Sequence, residues 1–498
     1  MSTNAKGADD KKKLRKILLI TGFAITGLQL IASIVLMVIM GAIKIIPKDY
    51  MILLDVLLVL FFCIFLIAQR WMVSGIITKV ISLLMTIVII AASVYLNITH
   101  GAFKKMTNVT YKTTKVNMYV LKESSAEDIS DVKEGTFGIV GSEADRKNTE
   151  EAIADIESRL DKKIATKEYE DALALVKALY IREVPVIILN ESYVGMVEAE
   201  KEFQDFSERV KTITSFVKNE EIVDNDDKEE EDGYLKSDDV LTLYISGVDV
   251  NGAPTENRNS DVNIICVMNF KTHQILLLNT PRDYYVPLSV SNGVPDKLTH
   301  AGCIGVDCSV QTLEMLYGLD IDYYFKMNFT GFVNIIDALG GVDVRSDFDF
   351  VGYHGKHHYV VGINHLNGAQ ALGFARERYA FPTGDNQRGK NQMAVINAMI
   401  NKLVSPELLK NYKSIINAVS DSMVTDMTMD EIGKIVDLQL KNGISWDIKQ
   451  YAVTGKGDSQ PGYTYAKPNY VMIPNQETVD KAKGYLEAMH NNQLINVE

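Results

Sequence analysis

Three long apolar runs open the chain: Ile17 to Ile43 carries no charge, Met51 to Ala68 carries only Asp55, and Val80 to Leu96 follows Lys79. A helix that crosses a bilayer needs about 20 mostly apolar residues, so the pattern predicts three transmembrane helices within residues 17–96. Their orientation follows from basic residues in the short flanks. Lys11, Lys12, Lys13, Arg15 and Lys16 precede the first run, and Arg70 and Lys79 lie between the second and third. The loop between the first two has only Lys44 and Lys48, with Asp49 beside them. Residues 1–16 are therefore expected to be a cytoplasmic basic terminus. An odd number of spans puts everything after about Asn97 outside. A signal peptide fits less well, because the first run is too long for an h-region and two more follow it.

Beyond the spans the period changes. Residues 97–217 alternate short apolar runs (GTFGIVG at 135–141, VPVIILN at 184–190) with charged helical stretches such as AIADIESRLDKKI. That is an α/β pattern without a catalytic constellation, expected to be an accessory domain. Residues 218–235 are an acidic stretch that cannot bury enough surface to fold and read as a solvated linker; they lack the spaced ligands and Gly of an EF-hand loop. From 236 to 498 the strand-like runs LTLYISGVD, VNIICVMNF and HQILLLNTPRDYYV follow one another with short connections. Helical patterns come next: SVQTLEMLYGL, FTGFVNIIDALGG and NQMAVINAMINKLV, with Thr428 and Glu431 forming a capping box for one more helix. The fold class predicted for this part is α/β, an α-β-α sandwich around a mixed central sheet.

Composition narrows the function. Of 498 residues, 47% are hydrophobic, enough for a substantial core as well as the spans. A net charge of −13 excludes a general nucleic-acid binder, although the acidic stretch hides local basic sites. Four cysteines make no disulfide framework: Cys63 lies in a span and Cys266 in an apolar strand. Cys303 and Cys308 are close and on the outer side, where a bridge is permitted but not required. No Cys/His cluster has zinc spacing, and His354, His357 and His358 read as surface residues in a loop.

The chemistry gathers at predicted strand ends. Asp249 stands just past the first strand, Arg258 and Asp261 just before the second, and Arg282 and Asp283 at the end of the third. Paired Asp side chains at strand ends suit a hard cation such as Mg²⁺, which completes its shell with phosphate oxygens, but Asp there is also ordinary turn chemistry. In the segment ARERYAFPTGDNQRGKNQ, Arg376 and Arg378 share a face if it is extended. Arg388 and Gln392 share one if it is helical, with Asp385 near the helix start to orient Arg388. Gly384, Gly389 and Lys390 also have P-loop spacing. That reading fails: Asn391 replaces the required Ser or Thr, and a Pro-containing turn replaces the buried strand. Five arginines in an acidic protein point instead to an anion site, because guanidinium matches phosphate bidentately and keeps its charge. Diphosphate is the natural candidate.

GVD (247–249), RNSD (258–261), NTPRDYYV (279–286), DALGGVDV (337–344), LNGAQAL (366–372), the RER pair and the Asp385, Arg388, Gln392 set together resemble the LytR-CpsA-Psr family, over about 236–400. The three spans and extra outer domain resemble its CpsA-type, capsule-associated branch. The resemblance implies a membrane-anchored phosphotransferase with its catalytic domain outside the cell of a Gram-positive bacterium. It would move a glycopolymer, capsular or teichoic-acid-like, from an undecaprenyl-diphosphate carrier to peptidoglycan through a phosphodiester. It implies Mg²⁺ at Asp249 and Asp261, diphosphate binding by Arg258, Arg282, Arg376, Arg378, Arg388 and Gln392, and catalytic roles for Arg376, Arg378 and Asp385. Arg258 departs from the pattern, because Asn259 and Ser260 separate it from Asp261. The expected partners are the polyprenyl-linked glycan, peptidoglycan, the membrane and capsule-synthesis machinery. The prenyl chain would draw on SVQTLEMLYGL and AVINAMINKL, whose apolar faces serve equally well as ordinary core. The rival readings are a lipid-diphosphate hydrolase and a non-enzymatic regulator or scaffold of envelope synthesis.

Overall fold

A computed structural model describes residues 2–42, 48–107, 111–141, 146–198, 200–221, 239–248, 257–403, 412–442 and 445–497. Two units emerge. The first holds the apolar helices Ser2–Ala42, Lys48–Ala68 and Met72–Thr107, together with the segment Thr428–Ile444. Within the helices, Arg15–Ala42, Lys48–Ala68 and Ile76–Ala102 are long and apolar enough to cross a membrane. Many of their hydrophobic side chains are exposed, among them Val38, Ile52 and Val88, which is compatible with membrane anchoring. Ser82 Oγ donates to Gln29 Oε1 at 2.6 Å between the first and third helices, polar glue suited to an apolar medium. The predicted capping box also forms: Glu431 Oε2 accepts from Thr428 N at 2.7 Å, and helix Met429–Asn442 follows.

The second unit contains two sheets. The smaller, five-stranded one has the order Ala165–Tyr169, Thr136–Val140, Val186–Asn190, Tyr111–Leu121, Val210–Glu221. Its first three strands are parallel and are linked by helices Arg146–Leu160 and Ala172–Tyr180; the long strands Tyr111–Leu121 and Val210–Glu221 pair antiparallel. The acidic stretch lies almost wholly outside the described residues.

The larger sheet is mixed, in the order Met423–Thr425, Tyr323–Asn328, Val240–Val248, Ser260–Asn269, Gln274–Asn279, Asp447–Ala452. Tyr323–Asn328 runs parallel to Val240–Val248, Asp447–Ala452 runs parallel to Gln274–Asn279, and the other pairs are antiparallel. Gln274–Asn279 is buried at every position, as a strand covered on both faces must be. One face carries Tyr244, Ile265, Val267, Leu276 and Leu278 against Leu313 and Tyr317 of helix Val306–Tyr317 and Val479 and Leu486 of helix Gln476–His490. Helix Asp385–Leu403 packs against Gln274–Asn279 and Asp447–Ala452.

Local chemistry explains the quoted motifs. In LNGAQAL, Asn367 and Gln370 form a reciprocal capping box that starts helix Gly368–Arg376. Gly368 approaches so closely that a Cβ there would sit 2.3 Å from the Val333 carbonyl. In DALGG, Gly340 and Gly341 take φ of +77° and +89°, which reverse the chain between helix Phe329–Ala338 and strand Val342–Ser346.

The two sheets touch through polar contacts. Arg258 donates from Nη1 to the Glu191 carbonyl at 3.0 Å and from Nη2 to Glu191 Oε1 at 2.9 Å, Ala466 N donates to Asp171 Oδ2 at 3.1 Å, and Asn469 Nδ2 donates to Glu200 Oε1 at 2.6 Å. Cys303 and Cys308 are free thiols, both buried. Cys303 Sγ lies 2.8 Å from Asn259 Oδ1 and 3.4 Å from the Ser192 carbonyl, and burial pushes its thiol up to about 12.

Candidate active site

Asp261 is the second residue of its strand, and Arg282 follows the end of the neighbouring one. Antiparallel pairing brings these ends together, and Arg282 Nη1 donates to Asp261 Oδ1 at 2.6 Å. Thr299 Oγ1 approaches the same oxygen at 3.4 Å. Arg282 Nε lies 3.6 Å from Asp283 Oδ1, too far for a hydrogen bond, and is a buried donor without a partner among the described residues. The Asp261 charge holds the Arg282 guanidinium well above its ordinary range, against the opposing effect of burial.

Helix Gly368–Arg376 delivers the next pair. It stops because Glu377 turns extended, φ −69° and ψ 128°, and the two-residue alternation of extended chain then sends Arg376 and Arg378 one way and Glu377 the other. Glu377 is fully buried and accepts from the backbone N–H of Tyr379 at 2.7 Å, of Ala380 at 3.0 Å and of Tyr353. This carboxylate locks the loop that aims both arginines. Sequence reasoning missed it; the signal was the acid between two arginines in R-E-R. Arg376 lies 4.9 Å from the Phe329 ring centre, and Arg378 Nη2 donates to the Tyr379 hydroxyl at 2.8 Å.

Helix Asp385–Leu403 begins after Gly384, whose φ is +51°. Asp385 pairs with Arg388 one turn on, and burial raises the Asp385 carboxyl although Arg388 pulls it down. Gly389, part of the P-loop-like spacing, serves packing: a Cβ there would lie 2.2 Å from Asn279 Nδ2.

Asp261, Arg282, Arg376, Arg378, Arg388 and Gln392 thus line one cavity of about 120 Å³, completed by Phe329, His354 and Tyr379. His354, expected at the surface, belongs to its wall. Asp385 stands behind Arg388. Arg258 does not join them and is held by Glu191. It lies three residues before Asp261, an odd separation that in extended chain puts two side chains on opposite sides. Asp249 lies outside the described residues.

The cavity wall itself carries four guanidinium groups and one carboxylate, Asp261, and is positive, and arginine forks match phosphate oxygens. Among the described residues no group of three or more His, Cys, Asp or Glu could hold a metal ion. Asp261, whose Oδ1 accepts from Arg282 and lies 3.4 Å from Thr299 Oγ1, is the carboxylate in the cavity lining, and a carboxylate beside phosphate oxygens is the donor type Mg²⁺ takes.

A second, apolar cavity of about 50 Å³ shares Phe329, Arg376 and Gln392 with the first and is lined by Ile245, Val262, Met327, Phe332, Leu372 and Ile396. Its volume is under two waters' share of liquid, roughly 30 Å³ each. Ile396 of AVINAMINKL lines this cavity, whereas SVQTLEMLYGL places Leu313 and Tyr317 in the core.

The sequence model of the LytR_cpsA_psr family matches residues 207–483. A model described as DNA polymerase processivity factor matches residues 74–189, a shorter stretch that starts inside the third apolar helix. The chain is 36% identical over 210 residues to the polyisoprenyl-teichoic acid–peptidoglycan teichoic acid transferase TagU of Bacillus cereus, covering 42% of this chain and 67% of that protein. The Bacillus mycoides protein of the same name is 34% identical over 270 residues, 53% of this chain and 84% of its own. Among solved structures, Bacillus subtilis TagV is 25% identical with a TM-score of 0.43, covering 52% of this chain and 100% of that one. TagT bound to LIIa-WTA is 26% identical with a TM-score of 0.40, covering 50% and 91%. The family match spans more than half of the sequence and contains every described residue of the arginine cavity: this chain belongs to the LytR_cpsA_psr family.

Proposed function

We propose that this chain, a transferase of the LytR_cpsA_psr family, moves a cell-wall glycopolymer from an undecaprenyl-diphosphate carrier to peptidoglycan through a phosphodiester. The observation that carries this reading is the shared wall: an arginine cavity sized for a diphosphate opens beside an apolar one through Phe329, Arg376 and Gln392. A polyprenyl diphosphate is charged at one end and greasy at the other, and the two cavities have that polarity. The relatives' printed names, transferases of polyisoprenyl-linked teichoic acid to peptidoglycan, support the same class of donor and acceptor. The polymer is of the capsular or teichoic-acid type, and partnership with capsule-synthesis machinery is part of the same proposal.

In this reading Arg282, Arg376, Arg378 and Arg388, with Gln392, bind the diphosphate, and Asp385 orients Arg388. Arg376 and Arg378 stabilise the charge that develops as a sugar hydroxyl of peptidoglycan attacks the glycan-linked phosphorus. A new P–O bond forms to the acceptor, the bridging P–O bond breaks, and polyprenyl phosphate leaves. The hydroxyl proton passes to a carboxylate at the strand ends, for which Asp249, Asp261 and Asp283 are the candidates. No nucleotide is required, since the diphosphate linkage carries the transfer energy. Mg²⁺ held by Asp261 and Asp249 would supply further neutralisation of phosphate charge. Arg258 would reach the diphosphate only by leaving Glu191. The three helices anchor the protein in a cell membrane with residues 97–217, 218–235 and 236–498 outside as accessory domain, linker and catalytic α-β-α sandwich.

The test is the full chain in detergent with Mg²⁺, an undecaprenyl-diphosphate glycan and peptidoglycan oligomers. We expect a covalent glycan–peptidoglycan product that disappears in Arg378→Ala. Release of glycan without acceptor would favour a hydrolase. Intact lipid binding without turnover would favour a scaffold.

A further inference from the structure

A groove of about 750 Å³, several times larger than the arginine cavity, lies on the other flank of helix Asp385–Leu403. Arg388 and Gln392 face the arginine cavity, while their neighbours Gln387, Lys390 and Asn391 line the groove. We propose that this groove binds the acceptor, a peptidoglycan glycan strand with its peptide stems. The proposal rests on the transferase reading above and names where its second substrate sits.

Size comes first. A cavity of about 120 Å³ takes a diphosphate headgroup and leaves no room for a sugar polymer, whereas 750 Å³ lies within the usual 300–1,000 Å³ range of ligand sites. Position is the second argument. The groove includes Ala452 and Thr454 at the carboxyl end of strand Asp447–Ala452. Ala452 is the register partner of Asn279, three residues before Arg282. Parallel pairing puts both strands' carboxyl ends on the same edge of the sheet, where open α/β sheets bind ligands. The acceptor would therefore lie about one strand spacing, roughly 5 Å, from the segment that carries Arg282.

The lining chooses the ligand. Asn397, Asn401 and Gln450 offer amides, which both donate and accept, as sugar hydroxyls do, and Tyr451 offers an aromatic ring. Charges balance: Asp343, Asp347 and Glu477 stand against Arg345, Lys390 and Lys481. A polyanionic teichoic or capsular chain would select an excess of cations, as the arginine cavity has. A neutral glycan whose peptide stems carry both carboxylates and amines matches a groove of mixed sign.

The test uses the full chain in detergent, titrated calorimetrically with a soluble peptidoglycan tetrasaccharide bearing its stems, with no donor present. Saturable binding is expected, weakened at least tenfold by Asn397→Trp, which fills the groove, and by Lys481→Glu. Melting curves of each variant separate local loss from unfolding, and Tyr451→Ala gives a second, smaller perturbation if Asn397→Trp does not fold. Binding unaffected by all three variants, or preference for the free anionic polymer over the tetrasaccharide, overturns the groove assignment. Affinity of the parent protein for the lipid diphosphate, measured separately with Arg378→Ala as the weakened control, reports on the transferase reading: no binding by the parent would sink that reading, whereas the acceptor titration, which needs no donor, tests the groove by itself.

Discussion

Two neighbouring residues, Glu377 and Arg378, divide the work of the site: one faces inward and is fully buried, the other faces the cavity. Arg378→Ala should lower kcat by about 10²–10³, the usual loss for one charge-stabilising donor, and Arg378→Lys should restore only a minor part, because a point charge does not reproduce the bidentate fork. Steady-state transfer assays decide it; equal activity of Lys and Arg variants would reduce the residue to a bulk charge. Glu377→Ala leaves three backbone N–H groups without their acceptor, a cost on the order of 2–3 kcal/mol, and should lower both the melting temperature and kcat. A variant that melts normally but is inactive would instead mean that Glu377 takes part in the chemistry. The reversed directions of Glu377 and its flanking arginines could be read from R-E-R, since they follow from the two-residue period of extended chain. What Glu377 bonds to could not, because Tyr353 comes from a distant hairpin.

At the scale of elements, two polar contacts tie together segments that are distant in sequence. Arg258 and Glu191 join the loop before strand Ser260–Asn269 to the smaller sheet, and Glu191 is held below the usual carboxylate range: burial opposes this, but hydrogen bonding to Lys115 and the Arg258 charge outweigh it. A double-mutant cycle with Glu191→Ala and Arg258→Ala, read by thermal unfolding, should show a coupling of about 1–3 kcal/mol. Additive losses would make the pair incidental. The second contact is Asp296, fully buried, accepting from Thr464 N and Thr464 Oγ1 at 2.7 Å each and paired with His300 Nδ1 at 2.7 Å. It ties the residues after strand Gly455–Gln460 to helix Leu298–Ile304. Burial would raise its carboxyl, but His300 and Thr464 prevail and lower it below the unfolded value of 3.8. A depressed acid pKa contributes stability above the unfolded value and loses it as pH falls through the folded one. Asp296→Asn should therefore lower the melting temperature at neutral pH, and the difference from the parent should shrink below about pH 3.8. A gap that stays constant down to about pH 2 would remove the charge from the explanation.

For the whole molecule, the contacts between the sheets change what can be cut. Removal of residues 1–105 should give protein that no longer sediments with vesicles yet keeps lipid-diphosphate binding in detergent, because both sheets stay together. A chain starting at 236 exposes the surface that Glu191, Glu200 and Asp171 cover and should melt several degrees lower, about 1–3 kcal/mol in stability for a domain of this size; equal melting would show that the two sheets fold independently. The amino-acid sequence alone determined the three apolar helices, the strand runs and most of the cavity. Hydropathy, a two-residue alternation and a helical period are local properties: Asp261, Arg282, Arg376 and Arg378 sit at the element ends where those periods break, and Arg388 and Gln392 follow the helical period one turn apart on helix Asp385–Leu403. Tertiary structure decided where Arg258 goes, that His354 enters the cavity wall, that Gly389 serves packing, and that a second groove lies behind helix Asp385–Leu403. Each of these depends on partners more than about twenty residues away along the chain, and the sequence carries no distance information across such a gap.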